Sequence, residues 1–179
     1  MSAPSPPTAP FRADRYDLPT LAGGQAPASL TPVVAFEAGP LAARMAAIPP
    51  WSTYGVSPAL LESLFHGTAG GAVALAVRQA NTTAPVGVLV IRSPWLIGPY
   101  VQFLGLESAI QGQGLGSRML AWLEAEARQA GFRNLWICAA GFNDGAQRLY
   151  QRCGFETVAA LDDLIQDGVP ELLMRKKLT

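Results

Sequence analysis

The chain has no excess of charge of either sign. Thirteen Lys and Arg side chains are matched by thirteen Asp and Glu, so no overall field draws it to a polyanion or an anionic lipid surface. Neither nucleic acid nor membrane is expected as a partner. Lysine is scarce, the first being Lys176, and this removes the Gly-Lys-Ser/Thr triad of a triphosphate-binding P-loop. The two cysteines, Cys138 and Cys153, and the one histidine, His66, form no CxxC or Cys/His spacing. No metal site is expected, and the thiols fit core positions in a reducing, cytoplasmic compartment. No apolar run reaches membrane-spanning length without a Gly, Pro or charge, and the N-terminus lacks an apolar core of signal-peptide length.

What is present divides into two parts. Residues 1–30 carry Pro4, Pro6, Pro7, Pro10, Pro19 and Pro27 among Ala, Ser and Gly, with no periodicity, and read as a flexible arm. Residues 31–179 suffice for one core and one domain. Thr31–Glu37 alternates weakly as a first strand. Leu41–Ile48 reads as a short helix stopped by Pro49-Pro50, and Ser57-Pro58 opens a second helix to about His66, ended by Gly67. Ala72–Arg78 and Val86–Arg92 form a hairpin, and Tyr100–Leu106 is a third extended run. A long amphipathic helix covers Leu115 to about Ala130. It is followed by a buried strand at Asn134–Ala139, a helix at Asp144–Arg152, and a pair of strands at Phe155–Leu161 and Glu171–Leu178. The expected fold class is mixed α/β (α+β), with helices on both faces of a mixed sheet of about seven strands.

The most informative segment is Gln111-Gly112-Gln113-Gly114-Leu115-Gly116-Ser117. Its glycines let a ligand approach the backbone, and the free N–H groups of the following helix point at an anion. A glycine-rich turn is also how a chain simply changes direction. It is not a dinucleotide fingerprint, since Ser117 stands where the third glycine belongs and no acidic residue ends the next strand.

About thirty residues further on stand Asn143, Ala146, Tyr150 and Gly154-Phe155. With Gln111-x-x-Gly114-x-Gly116 they resemble, in order and separation, the two motifs of the GNAT superfamily of acetyl-coenzyme A-dependent N-acetyltransferases. The resemblance spans roughly Pro32 to the C-terminus. It implies a mostly antiparallel sheet whose fourth and fifth strands splay apart to admit the pantetheine arm, and acetyl-CoA as co-substrate for an amine acceptor. It places the pyrophosphate over Gln111, Gly112, Gln113, Gly114, Leu115, Gly116 and Ser117, with Asn143 also on the coenzyme. It implies a backbone N–H for the developing oxyanion within Leu104-Gly105-Leu106, where Gly105 suits a bulge. Tyr150 becomes the acid that protonates the departing thiolate. Family members often dimerise, and the C-terminal strands offer an edge.

The general base is open among Glu107, Tyr100 and His66. Trp51, Tyr54 and Trp95 are candidates for the acceptor pocket. Pro50-Trp51-Ser52 and Leu135-Trp136-Ile137 resemble enzymes that acetylate a ribosomal protein's N-terminal alanine, but Cys138 stands where those carry a catalytic glutamate. That substrate is therefore not carried across. A non-catalytic acyl-CoA-binding module and an unrelated nucleotide binder remain alternatives, the latter requiring an all-parallel sheet.

Overall fold

In a computed structural model, which describes residues 10–21, 25–67 and 71–178, alternate residues of the central strands enter two separate cores. Leu75, Val77, Leu89 and Ile91 pack into one, and Ala72, Ala74, Val88 and Val90 into the other. Burial on both faces is why these strands read as near-continuous apolar runs.

The elements follow as β1 (Tyr16–Asp17), β2 (Ala28–Pro32), α1 (Ala35–Ala46), α2 (Pro58–Phe65), β3 (Ala72–Gln79), β4 (Gly87–Trp95), β5 (Gly98–Leu106), α3 (Leu115–Gln129), β6 (Asn134–Ala140), α4 (Asp144–Arg152), β7 (Glu156–Gln166) and β8 (Val169–Lys177). They form one eight-stranded sheet in the order β1-β2-β3-β4-β5-β6-β8-β7. Every neighbouring pair is antiparallel except β5–β6. The first core joins residues of α3 and α4 to one face, while α1 and α2 cover the other.

The N-terminal reading needs correction. Residues 10–21 and 25–30, expected in a flexible arm, are folded: Phe11 is 1% exposed and joins Leu18 and Leu30 in the first core. Phe11 and Tyr16 both lie against Trp122 of α3, with ring centroids 5.9 and 4.8 Å away. Residues 1–9 and 22–24 lie outside the described residues. The first long strand is Ala28–Pro32 rather than Thr31–Glu37. Leu30 opposes Val77 in the β2–β3 ladder, and the chain leaves that ladder into α1. Helix α1 begins at Ala35, ahead of the expected Leu41, despite Gly39-Pro40. Its stripe of Ala38, Leu41, Ala42 and Met45 is buried at i, i+3, i+4 and i+7, and that burial outweighs the lost Pro40 N–H.

Two irregularities of β5 shape the site. Its pairing with β4 slips so that Val90 opposes Phe103 and Ile91 opposes Val101, leaving Gln102 as the extra, bulged residue. Its parallel pairing with β6 consists of Tyr100↔Trp136 and Val101↔Ile137. Beyond those pairs β5 and β6 diverge, which is the expected splay. The C-terminal pair is longer than expected, β7 running on to Gln166.

Candidate active site

A cavity of about 490 Å³ occupies the gap between β5 and β6. On one side of the sheet it is walled by the start of α3 and by α4. On the other it is walled by the α1–α2 connection around Pro49, Trp51 and Tyr54, and by Leu164 and Ile165 of β7.

The α3 end is built from its backbone. Gly112 and Gly114 both have φ near +78°, and Gly114 is the residue immediately before α3. A side chain at either would be strained. At Gly114 a Cβ would also lie 2.4 Å from Gln25 Nε2. Gln111, Gly112, Gly114, Leu115, Gly116 and Ser117 all line the cavity, with α3's unsatisfied N–H groups behind them. The Gln111 amide donates to Leu106 O at 2.8 Å, tying the cradle to the end of the splayed strand. Gln113 is the exception. It does not line the cavity; its side chain donates to Ala109 O and its carbonyl accepts from Gln25.

Behind the cradle, Arg118 in the first turns of α3 is only 2% exposed. Its guanidinium donates to the carbonyls of Pro19, Ala26 and Leu18. Nothing in the glycine motif pointed to this contact, because its partners lie in the segment that composition marks as an arm.

The strand donor also needs correction. Glu107 N–H donates to Val86 O, and antiparallel alternation turns the Gly105 N–H toward β4 as well. The N–H groups of Leu104 and Leu106 therefore face the gap. Gly105 does not mark the bulge. Its lack of a side chain serves packing instead, since a Cβ there would lie 2.6 Å from Phe103 Cε1 and 2.8 Å from Met45 Sδ.

The polar groups of the cavity meet where the strands part. Tyr150 on α4 is 6% exposed. Burial, reinforced by the nearby Cys138 and Glu171, pushes its phenol above the ordinary value of 10, so it stays protonated at neutral pH. Tyr100 on β5 is pushed the same way by burial and by its hydrogen bond to Cys138 of β6, and burial likewise raises the Cys138 thiol. Both cysteines are free and half-buried; Cys153 packs against the first core, as expected, whereas Cys138 lines the cavity. Asn143 caps α4, its Oδ1 accepting from Ala146 N at 3.1 Å, and also lines the cavity.

Glu171 of β8 is the group that sequence reasoning missed. It is 4% exposed, lines the cavity and accepts a hydrogen bond from the Tyr54 hydroxyl. Burial raises its carboxyl, while the Tyr54 hydrogen bond works against that rise. The available signal was an acid inside the apolar run Val169–Met174, at the first position of an expected strand.

Two of the expected bases stand elsewhere. Glu107 is bound to Arg44, Nε to Oε1 at 2.6 Å, and does not line the cavity. His66 ends α2 with Glu62 4.0 Å away, also outside it. Of the three aromatics expected at an acceptor pocket, Trp51 and Tyr54 line the cavity. Trp95 packs instead on Tyr100 and Trp136.

Comparison with known proteins agrees with this geometry. An acetyltransferase of Agrobacterium fabrum is 39% identical over 70 residues, covering 39% of this chain. The chain spans about half of that relative, 47% of its length. The Ard1 protein of Thermoplasma volcanium superposes with a TM-score of 0.69 at 16% identity, over 85% of this chain and 98% of that one. A GNAT family acetyltransferase of Elizabethkingia anophelis, solved with acetyl-CoA bound, superposes with a TM-score of 0.61 at 17% identity, over 93% of this chain and 100% of that one. At such identities the structures speak for the fold. The family described as "Acetyltransferase (GNAT) family" matches residues 40–155, from α1 through the glycine turn to the end of α4, and the chain belongs to that family.

Proposed function

We propose that the protein transfers the acetyl group of acetyl-CoA to a primary amine by direct attack within a ternary complex. The observation that carries this reading is the gap between β5 and β6, which joins a backbone phosphate cradle on one face of the sheet to an aromatic, polar-ended recess on the other. The pyrophosphate rests on the N-terminus of α3, where unpaired N–H groups and the helix dipole favour an anion. The pantetheine arm lies along the unpaired edge of β5, and the thioester carbonyl reaches the N–H groups of Leu104 and Leu106. One correctly placed donor is worth about 10²–10³ in rate. The amine nitrogen attacks the carbonyl carbon, the tetrahedral intermediate collapses, and the carbon–sulfur bond breaks. Tyr150, protonated and buried, supplies a proton to the leaving thiolate.

Titration calorimetry with acetyl-CoA, followed by thiol release from a panel of amines, tests the reading. Micromolar binding and turnover are expected. In Tyr150→Phe, coenzyme affinity stays within about twofold while kcat falls about 10²-fold. Binding without turnover on any amine would favour a non-catalytic acyl-CoA module, and absence of binding at millimolar acetyl-CoA would exclude both.

A further inference from the structure

Glu171 is a buried carboxylate without a cationic partner among the described residues. The groups around it are Tyr54 from the α1–α2 connection, Tyr100 from β5, Cys138 from β6 and Tyr150 from α4. None carries a positive charge. Among the described residues its side chain accepts one hydrogen bond, from the Tyr54 hydroxyl, which leaves most of its acceptor capacity unused. A carboxylate buried in this way is costly unless a cation or donor joins it. The other charged residue lining the cavity, Arg152, is exposed. The interior therefore offers negative charge and lacks its complement.

The geometry points to Glu171, steadied by Tyr54, as the acceptor subsite: it binds a primary amine as the ammonium, takes its proton, and favours an amine carried on an uncharged apolar or aromatic body. This rests on the acetyl-transfer reading above. The cavity that Glu171 and Tyr54 line is also walled by the apolar side chains of Pro49, Trp51, Leu164 and Ile165. Phe142 stacks edge-on against Tyr54 with centroids 5.3 Å apart. A second cation on the substrate would enter these apolar walls unpaired, and a carboxylate next to the amine would meet Glu171 with like charge.

The protons balance in two steps. The ammonium nitrogen gives one proton to a Glu171 carboxylate oxygen, which later returns it to solvent, and the free lone pair attacks the thioester carbonyl carbon. On collapse the carbon–sulfur bond breaks, its electron pair leaves on sulfur, and Tyr150 protonates that sulfur. Tyr150 regains a proton from the nitrogen that is becoming the amide. The products are the acetylated amine and coenzyme A, with one proton released.

The experiment compares 2-phenylethylamine, L-phenylalanine and spermidine as acceptors for the full chain, with acetyl-CoA binding measured separately. For the wild type, kcat/KM with 2-phenylethylamine should exceed that with either other amine by at least tenfold. Glu171→Gln should lower kcat/KM for 2-phenylethylamine about 10²–10³-fold at pH 7 while acetyl-CoA affinity stays within twofold. The deficit should shrink about tenfold per pH unit as free amine becomes available below the amine's own pKa. Tyr54→Phe removes the hydrogen bond that favours the charged carboxylate, so it should move the acidic limb of the rate profile to higher pH. Wild-type rates in Glu171→Gln, a pH profile parallel to the wild type's, or equal use of L-phenylalanine would each overturn the subsite. A protein that binds acetyl-CoA yet acetylates none of the three amines overturns the subsite alone. One that binds no acetyl-CoA overturns the underlying reading.

Discussion

Tyr54 and Glu171 lie 117 residues apart in the chain and are joined by a hydrogen bond from the phenol to the carboxylate. The bond fastens the α1–α2 connection to β8, so the two walls of the recess are held at a fixed separation. It also places a titratable group where water is scarce, and the cost of that placement depends on pH.

Burial raises the Glu171 carboxyl above its ordinary value of 4.5. The folded protein then holds this proton more tightly than the unfolded chain, so stability falls as pH rises from about 4.5 through the folded value. Glutamine cannot ionise. Glu171→Gln should therefore melt higher than the wild type at pH 8 and alongside it near pH 4, with about 2–4 °C for each kcal/mol recovered. Calorimetric scans at the two pH values check this, and a gap of equal size at both would refute it.

Arg118 should behave as a structural staple. Arg118→Met keeps the apolar stem but removes the donors to Leu18, Pro19 and Ala26. A loss of about 2–4 kcal/mol is expected from several charge-assisted bonds broken at once. Trypsin cleavage after Arg12 and Arg15 should accelerate as the segment loosens. Urea titration and a digestion time course measure the two effects, and unchanged cleavage would show that Phe11 and Tyr16 hold the segment unaided.

Two glycine substitutions should separate stability from binding. Gly105→Ala inserts a methyl against Phe103 and Met45, and an overpacked core of this kind loses about 1–3 kcal/mol. Gly114→Ala forces a side chain into the left-handed region beside Gln25, a local strain of about 1–2 kcal/mol at the cradle. The first should lower Tm with little change in acetyl-CoA affinity, and the second should weaken affinity about tenfold. Reversed effects would mean that the β5 edge, not the helix start, governs coenzyme binding.

How much of this was legible in the sequence depended on whether a signal was local. Gln111–Ser117 and the Asn143 cap were readable because turn, cap and helix start are encoded within a few residues. The β3–β4 hairpin was readable for the same reason. Glu107 was misjudged because Arg44, which holds it, lies 63 positions away. Gly105 was assigned to a bulge that belongs to Gln102, since a glycine and a bulge cannot be told apart without the partner strand's register. Glu171 was passed over because an acid in an apolar run gains its meaning only from the recess that α1–α2, β6, β7 and β8 assemble together. Leu30 and Phe11 were lost among prolines, whose density suggested an arm although apolar residues within it were destined for burial.

That N-terminal segment has a practical consequence for anyone preparing the protein. A chain trimmed to begin at Thr31, as composition alone would recommend, would lose β1, most of β2, and the aromatic pair that rests on Trp122. Arg118 would be left three carbonyls short behind the same first turns of α3 that carry the glycine cradle. The expendable-looking tail is the backing plate of α3, and cutting it away should blunt ligand binding from the far side, without touching one residue of the pocket.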